Sequence, residues 1–138
     1  MIKRLLLFFL ISFSLIGCAT IASGPVFVEA PQAPEGMGTV YIFRMDTSKM
    51  YGMAVAHTAY INNKPFVKLY RGGYSFVHLK PGIYKFSAGL VTEFAIEAGE
   101  TKFIESFSGG VGLREYQKAE GLKVIKECRY IEPLNTEF

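Results

Sequence analysis

MAVAHTAYINNKPFVKLYRGGYSFVHLKPGIYKFSA, residues 53–88, decides the fold. It is a series of short runs rich in β-branched and aromatic residues, each stopped by turn residues. Met53 to Ile61 reads as a strand ending at Asn62-Asn63, a pair suited to a tight hairpin. Phe66 to Tyr70 is the next strand, turned by Arg71-Gly72-Gly73. Tyr74 to Leu79 follows and stops at Lys80-Pro81-Gly82, where Pro-Gly supplies the fixed φ and the positive φ of a type II turn. Ile83 to Ala88 is a further strand.

The same pattern extends on both sides. Thr39 to Arg44 (TVYIFR) has the composition of a strand buried on both faces. Leu90 to Glu97 alternates, which points Leu90, Thr92, Phe94 and Ile96 to the core and Glu93 and Glu97 to water. After the turn Ala98-Gly99-Glu100, Thr101 to Phe107 places Phe103 and Phe107 on one face and Lys102 and Ser106 on the other. Gly109-Gly110-Val111-Gly112 reads as flexible, and Leu113 to Gln117 as a last short strand. Lys118 to Glu127 is rich in helix formers, with Leu122 and Ile125 as an i,i+3 apolar pair, although Gly121 weakens a helix there. Cys128 to Ile131 reads as extended. Short strands with turn signals every 8–12 residues predict a mainly β chain, an antiparallel β-sandwich or barrel, with a short C-terminal helix.

The start of the chain reads differently. Lys3 and Arg4 are followed by a 12-residue apolar stretch, Leu5 to Ile16, broken only by Ser12 and Ser14. Leu15-Ile16-Gly17-Cys18 then sets a small residue directly before a cysteine. A basic start, a short apolar run and a small-residue cleavage site describe a secretory signal peptide. The run is too short to span a bilayer, which takes about 20 apolar residues. The tetrapeptide resembles a bacterial lipobox. That resemblance implies cleavage between Gly17 and Cys18 and lipidation of Cys18. Ala19 stands where an aspartate would mark inner-membrane retention in enteric-type sorting, so the expected location is the outer membrane, lipid-anchored and facing the periplasm. Residues 18–38, with Pro25, Pro31 and Pro34 among Gly24, Gly36 and Gly38, read as a flexible tether after the lipidated cysteine. Fully extended, it would hold the domain up to roughly 60–70 Å from the lipid. Val26-Phe27-Val28 is an apolar island within it that fits a short edge strand. The expected divisions are therefore 1–17 signal peptide, 18–38 tether, 39–132 sandwich and 133–138 tail.

Removing residues 1–17 leaves 121 residues, enough for one domain with its own core. Lys3 and Arg4 leave with the signal, so 13 basic and 12 acidic side chains remain. That balance gives no electrostatic footprint for nucleic acid. With Cys18 acylated, Cys128 has no partner within the chain, and a buried inert thiol is the expected state, with dimerisation through Cys128 as the alternative.

The order of VYIFR (40–44), Tyr60-Ile61-Asn62-Asn63-Lys64, Leu69-Tyr70-Arg71-Gly72-Gly73-Tyr74, Leu79-Lys80-Pro81-Gly82, Ala98-Gly99-Glu100-Thr101 and Ile125-Lys126-Glu127-Cys128-Arg129 resembles a bacterial lipoprotein family known only as domain of unknown function 2846. The resemblance covers about 40–130. It implies an immunoglobulin-like or prealbumin-like sandwich of about seven to eight strands, and it brings no catalytic or ligand residues.

The chemistry-bearing residues are sparse. His57, His78 and Cys128 are the components of a metal-dependent enzyme or metal-binding module, but no short ligand spacing joins them, and ordinary strand histidines are expected. Glu93 and Glu97, four apart on a strand, would stand about 13 Å apart at ~3.3 Å per residue, too far for paired carboxylate chemistry. They, with Glu105, read as a solvated face. No nucleophile elbow is present, and neither glycine run opens a helix that would cradle phosphate. The expected function is non-catalytic binding or structural support at the outer membrane, with no cofactor, no metal and no nucleic acid. The membrane is engaged through lipid on Cys18, and an envelope protein or glycan is the possible further partner. The candidate binding surface is Tyr51, in the loop 46–53, with Tyr70, Arg71 and Tyr74, all at loop ends where sandwiches carry contacts.

Overall fold

The structure, a computed structural model, describes residues 21–46, 56–107 and 112–138. The signal segment, Gly17, Cys18, Tyr51 and residues 108–111 lie outside the described residues, as does the Phe107 side chain. The chain is mainly β, with two facing sheets and one short helix. Its elements are β1 (Gly38–Arg44), β2 (His57–Ile61), β3 (Lys64–Leu69), β4 (Gly73–Leu79), β5 (Gly82–Ser87), β6 (Val91–Ile96), β7 (Thr101–Phe107), β8 (Gly112–Tyr116), α1 (Lys118–Ile125) and β9 (Arg129–Tyr130). The larger sheet has the order β8-β7-β1-β4-β9 and the smaller β3-β2-β5-β6. The smaller sheet is antiparallel throughout. In the larger, β1 pairs in parallel with β7 and β4 in parallel with β9, so that sheet is mixed.

The alternation of β1 explains the layering. Val40 and Ile42 point into a core shared with Ala59, Ile61, Phe66, Leu69, Phe86 and Ile96 of the smaller sheet. Tyr41 and Phe43 point the other way, into a second cluster with Tyr74, Phe103, Ile125 and Cys128 beneath α1. All of β1 is buried, as its composition predicts. α1 packs closely because Gly121 lies against the Phe103 ring, where a Cβ would collide. The turns follow the sequence in part. Asn62 and Asn63 take φ of 48° and 64°, and Gly99 takes 74°. Gly82 does not: it already belongs to β5 and is outside the positive-φ set, so Lys80-Pro81-Gly82 turns the chain without the type II geometry.

Other expectations are corrected. Ser106, read on the face of β7 opposite Phe103, is fully buried because the smaller sheet covers that face. Glu105 is buried as well and accepts a 2.6 Å hydrogen bond from the Tyr116 hydroxyl on β8. Leu90 and Thr92 are exposed, since one sits beside the β5–β6 turn and the other on an edge strand; Phe94 and Ile96 alone carry that strand's core face.

The segment read as a tether is laid across the outer face of the larger sheet. Ile21 bridges Arg71 in parallel, and the Ala22 amide donates to the Arg71 carbonyl at 2.9 Å. Val26 bridges Arg129, and the Tyr130 amide donates to the Pro25 carbonyl. Phe27 lies edge-on to Tyr74, with ring centres 5.1 Å apart. The apolar island thus serves as a lid on the aromatic cluster and contributes a single bridge at the sheet edge.

Candidate functional site

β1, β3, β5 and β7 finish at one end of the sandwich, and β2, β4 and β6 begin there. This Arg44 end brings together Arg44, His57, Ser106, Arg71 and Asp46. Register fixes the arrangement. Arg44 lies opposite Gly73 on β4, and the parallel pairing that matches Phe43 with Glu105 brings Ser106 level with Arg44 on the other side. His57 opens β2 across the interior from them.

The Arg44 guanidinium lies 3.3 Å from His57 Nδ1 and donates to the Leu69 carbonyl, also at 3.3 Å. His57 Nε2 is 3.0 Å from Ser106 Oγ. A guanidinium can only donate, so Nδ1 accepts and the proton of the neutral ring sits on Nε2. Burial, reinforced by the Arg44 charge, holds the His57 pKa down to about 4, so the ring is neutral at physiological pH. Nε2–H therefore donates to Ser106. A histidine that activates a serine must accept from it, and the proton here is on the wrong nitrogen for that. The Arg44–His57–Ser106 chain works instead as a polar cap that satisfies the buried groups closing this end of the core.

The residues expected to form a binding surface separate. Arg71 is at the Arg44 end, its Nε 3.9 Å from an Asp46 carboxylate oxygen, within ion-pair reach but beyond a hydrogen bond. Tyr70 is half-buried, with the Lys68 ammonium 5.6 Å above its ring. Tyr70 also lines a recess of about 310 Å³ with Ile21, Ala22, Tyr130 and Ile131. Tyr74 is a correction: only 3 % exposed, it belongs to the aromatic cluster under the N-terminal segment and presents no surface. Tyr51 lies outside the described residues.

His57, His78 and Cys128 do not converge. His78 Nδ1 is 3.0 Å from Thr39 Oγ1, at the opposite end of β1 from Arg44. Five residues of strand separate those levels, about 16 Å at ~3.3 Å per residue. Cys128 reaches the Arg44 carbonyl from the helix side of the sheet, with its Sγ 3.7 Å from Met45 Sδ. Burial raises its thiol pKa to about 12, so it is an inert core thiol. No group of three metal-ligating side chains occurs among the described residues.

A second recess, of about 460 Å³, lies on the outer face of the larger sheet between residues 29–37 and α1. Glu29, Gln32, Glu100 and Lys118 give it a polar rim, and Tyr41 and Leu122 form part of its wall. Sequence reasoning missed it because its roof is the segment read as a free tether. The three prolines of that segment, which keep it extended, are compatible with either state. No protein-family model, curated protein or solved structure matches the chain.

Proposed function

We propose that this is a lipid-anchored envelope protein whose sandwich binds or braces a partner at the outer membrane, facing the periplasm, and performs no catalysis. The observation that carries the reading is Leu15-Ile16-Gly17-Cys18 behind a basic, apolar start. The tautomer of His57, which donates to Ser106, supports the non-catalytic part. Of the expected surface, Tyr70 and Arg71 remain as the contact residues, and an envelope protein or glycan is the partner class. The resemblance to the domain of unknown function 2846 lipoproteins belongs to the same reading.

The test is the intact mass and palmitate labelling of the chain expressed in a bacterium with an outer membrane. The expected product begins at Cys18, carries fatty acyl chains and floats with outer-membrane vesicles. A mature chain that begins at Met1, or that takes up no label, overturns the proposal.

A further inference from the structure

The edges of the two sheets are not equally protected. β9 is two residues long and meets residues 25–26: Val26 bridges Arg129, and the Tyr130 amide donates to the Pro25 carbonyl. β3 carries Pro65 and exposed Lys64 and Lys68, and the Leu134 amide of the C-terminal segment donates to its Phe66 carbonyl at 2.6 Å. β8 sets Arg114 and Glu115 in succession, both exposed. Short strands, prolines, charged side chains and covering segments all keep a sheet edge from adding another strand. Of these devices β6 has only Glu93. Val91-Thr92-Glu93-Phe94-Ala95-Ile96 pairs with β5 through six consecutive residues without a bulge and contains neither proline nor lysine.

Register shows which backbone groups of β6 are free. The Asn62 amide donates to the Lys85 carbonyl, and the Lys85 amide to Asn62 Oδ1, so Lys85 turns its polar backbone toward β2. Alternation then turns Tyr84 and Phe86 toward β6, where they meet Phe94 and Thr92. Val91, Glu93 and Ala95 therefore point their amides and carbonyls away from β5. No backbone group among the described residues meets them. The Glu97 amide, next in that row, is already satisfied by Glu100 Oε2 at 2.8 Å. The side chains of the three free residues stand on the outer face of the smaller sheet, where Val91 is 70 % exposed. Glu93 has Lys85 beside it on β5 and an open position on its other side.

A second copy fits this edge poorly. Antiparallel pairing of β6 with itself through all three free residues sets Glu93 directly opposite Glu93, a like-charge pair that destabilises the ladder. The neighbouring registers that keep the faces matched lose a pair, one to the Glu97 amide that Glu100 occupies and the other to the turn at Gly89. We infer that β6 is a docking edge for an extended segment of another envelope protein, which adds a fifth strand to the smaller sheet with a lysine or arginine opposite Glu93 and an apolar residue opposite Val91. The cation continues the row Lys85–Glu93 with alternating sign, and the main chain supplies the remaining bonds. This contact is separate from Tyr70 and Arg71, which follow β3 at the far edge of the same sheet. The inference rests on the reading of the sandwich as a binding module, and its test does not depend on the anchor.

The probes are two synthetic peptides of about nine residues, with lysine or glutamate at the centre, valine two positions to either side of it and threonine elsewhere. Each carries fluorescein and is titrated into the full chain by anisotropy. The lysine peptide is expected to bind about fivefold tighter than the glutamate peptide, and Glu93→Lys to invert that order. Amides of Val91, Glu93 and Ala95 should gain protection from hydrogen exchange on binding, while those of Thr92 and Phe94, already in the β5 ladder, change little. Ala95→Pro removes one outward amide and leaves that ladder intact, so it should weaken both peptides. If that variant does not fold, the exchange pattern of the unaltered chain decides. No binding at millimolar peptide, equal affinity for the two peptides, or binding without new protection at the three amides overturns the inference. So does a concentration-dependent dimer that protects the same amides, which would make a second copy the occupant. None of these results bears on acylation of Cys18, and a chain without acyl mass that still takes the lysine peptide leaves the docking edge standing.

Discussion

The Tyr41 hydroxyl accepts a 2.7 Å hydrogen bond from the Ala30 amide, joining the middle of β1 to a segment eleven residues earlier. Tyr41 also stacks on Phe103, ring centres 4.8 Å apart and planes 9° apart. One side chain thus ties the N-terminal segment to the centre of the larger sheet. Burial raises its pKa above the ordinary tyrosine value, so the hydroxyl stays protonated well into alkali.

Tyr41→Phe should loosen that segment without unfolding the sandwich. Removing one partner of a part-buried hydrogen bond costs about 1 kcal/mol. Where proteolysis tracks the open population, this corresponds to roughly fivefold faster cleavage. The check is digestion by a glutamate-specific protease, following cuts after Glu29 and Glu35 by mass. An unchanged cleavage rate would show that the hydrogen bond does not hold the segment down.

Acid should destabilise the fold through His57. Its folded pKa, about 4, lies below the ordinary 6.5, so between those values the unfolded chain takes up a proton that the folded chain refuses. Stability from this residue is fully present above pH 6.5, falls as pH drops toward 4 and levels off below it. The full effect is up to about 3 kcal/mol. Urea unfolding at pH 7.5, 5.5 and 4.5 measures it, and His57→Gln, which keeps a donor for Ser106 but cannot titrate, should flatten that part of the profile.

Gly121→Ala should destabilise the protein. In an open helix the change would gain about 1 kcal/mol in propensity. Here the new Cβ meets Cβ, Cγ and Cδ2 of Phe103, itself fully buried and stacked on Tyr41. Overpacking of that kind costs about 1–3 kcal/mol, so the clash outweighs the propensity. A lower urea midpoint for the variant checks the sign.

Cys128 should resist thiol reagents in the native state. Its side chain is buried and its thiol pKa is raised to about 12, leaving almost no thiolate at pH 8. Reaction with an aromatic disulfide should be slow until urea unfolds the chain, and the protein should run as a monomer on a non-reducing gel. Rapid native reaction would contradict the burial.

Much of the sandwich was legible because its turn residues act locally. Asn62-Asn63 and Gly99 adopt the positive φ that asparagine tolerates and glycine, without a Cβ, takes freely. β1 was legible because a run with no polar alternation needs cover on both faces. What escaped depended on partners distant in sequence. Tyr74 reads from sequence as an exposed strand tyrosine, and Phe27, Tyr41 and Tyr130 together bury it. Ser106 is polar by type and interior by position, because His57 waits for it on the other sheet. The prolines of residues 25–34 forbid a helix but do not say whether the extended chain floats or lies down.

The parallel pairing of β1 with β7 bears on the order in which the protein is put together. β1 is the first strand from the N-terminus, yet it stands at the centre of its sheet, flanked by β4 and β7. Thr39 finds its neighbour at Thr101, and Val26 meets Arg129. A chain emerging amino end first can pair β1 with β4 once Leu79 is out, but the second neighbour of β1 comes only with residues 101–107, and contacts so remote in sequence form late. The larger sheet is therefore closed in two stages, a β1–β4 hairpin-like pair first and its flanks β7 and β9 afterwards.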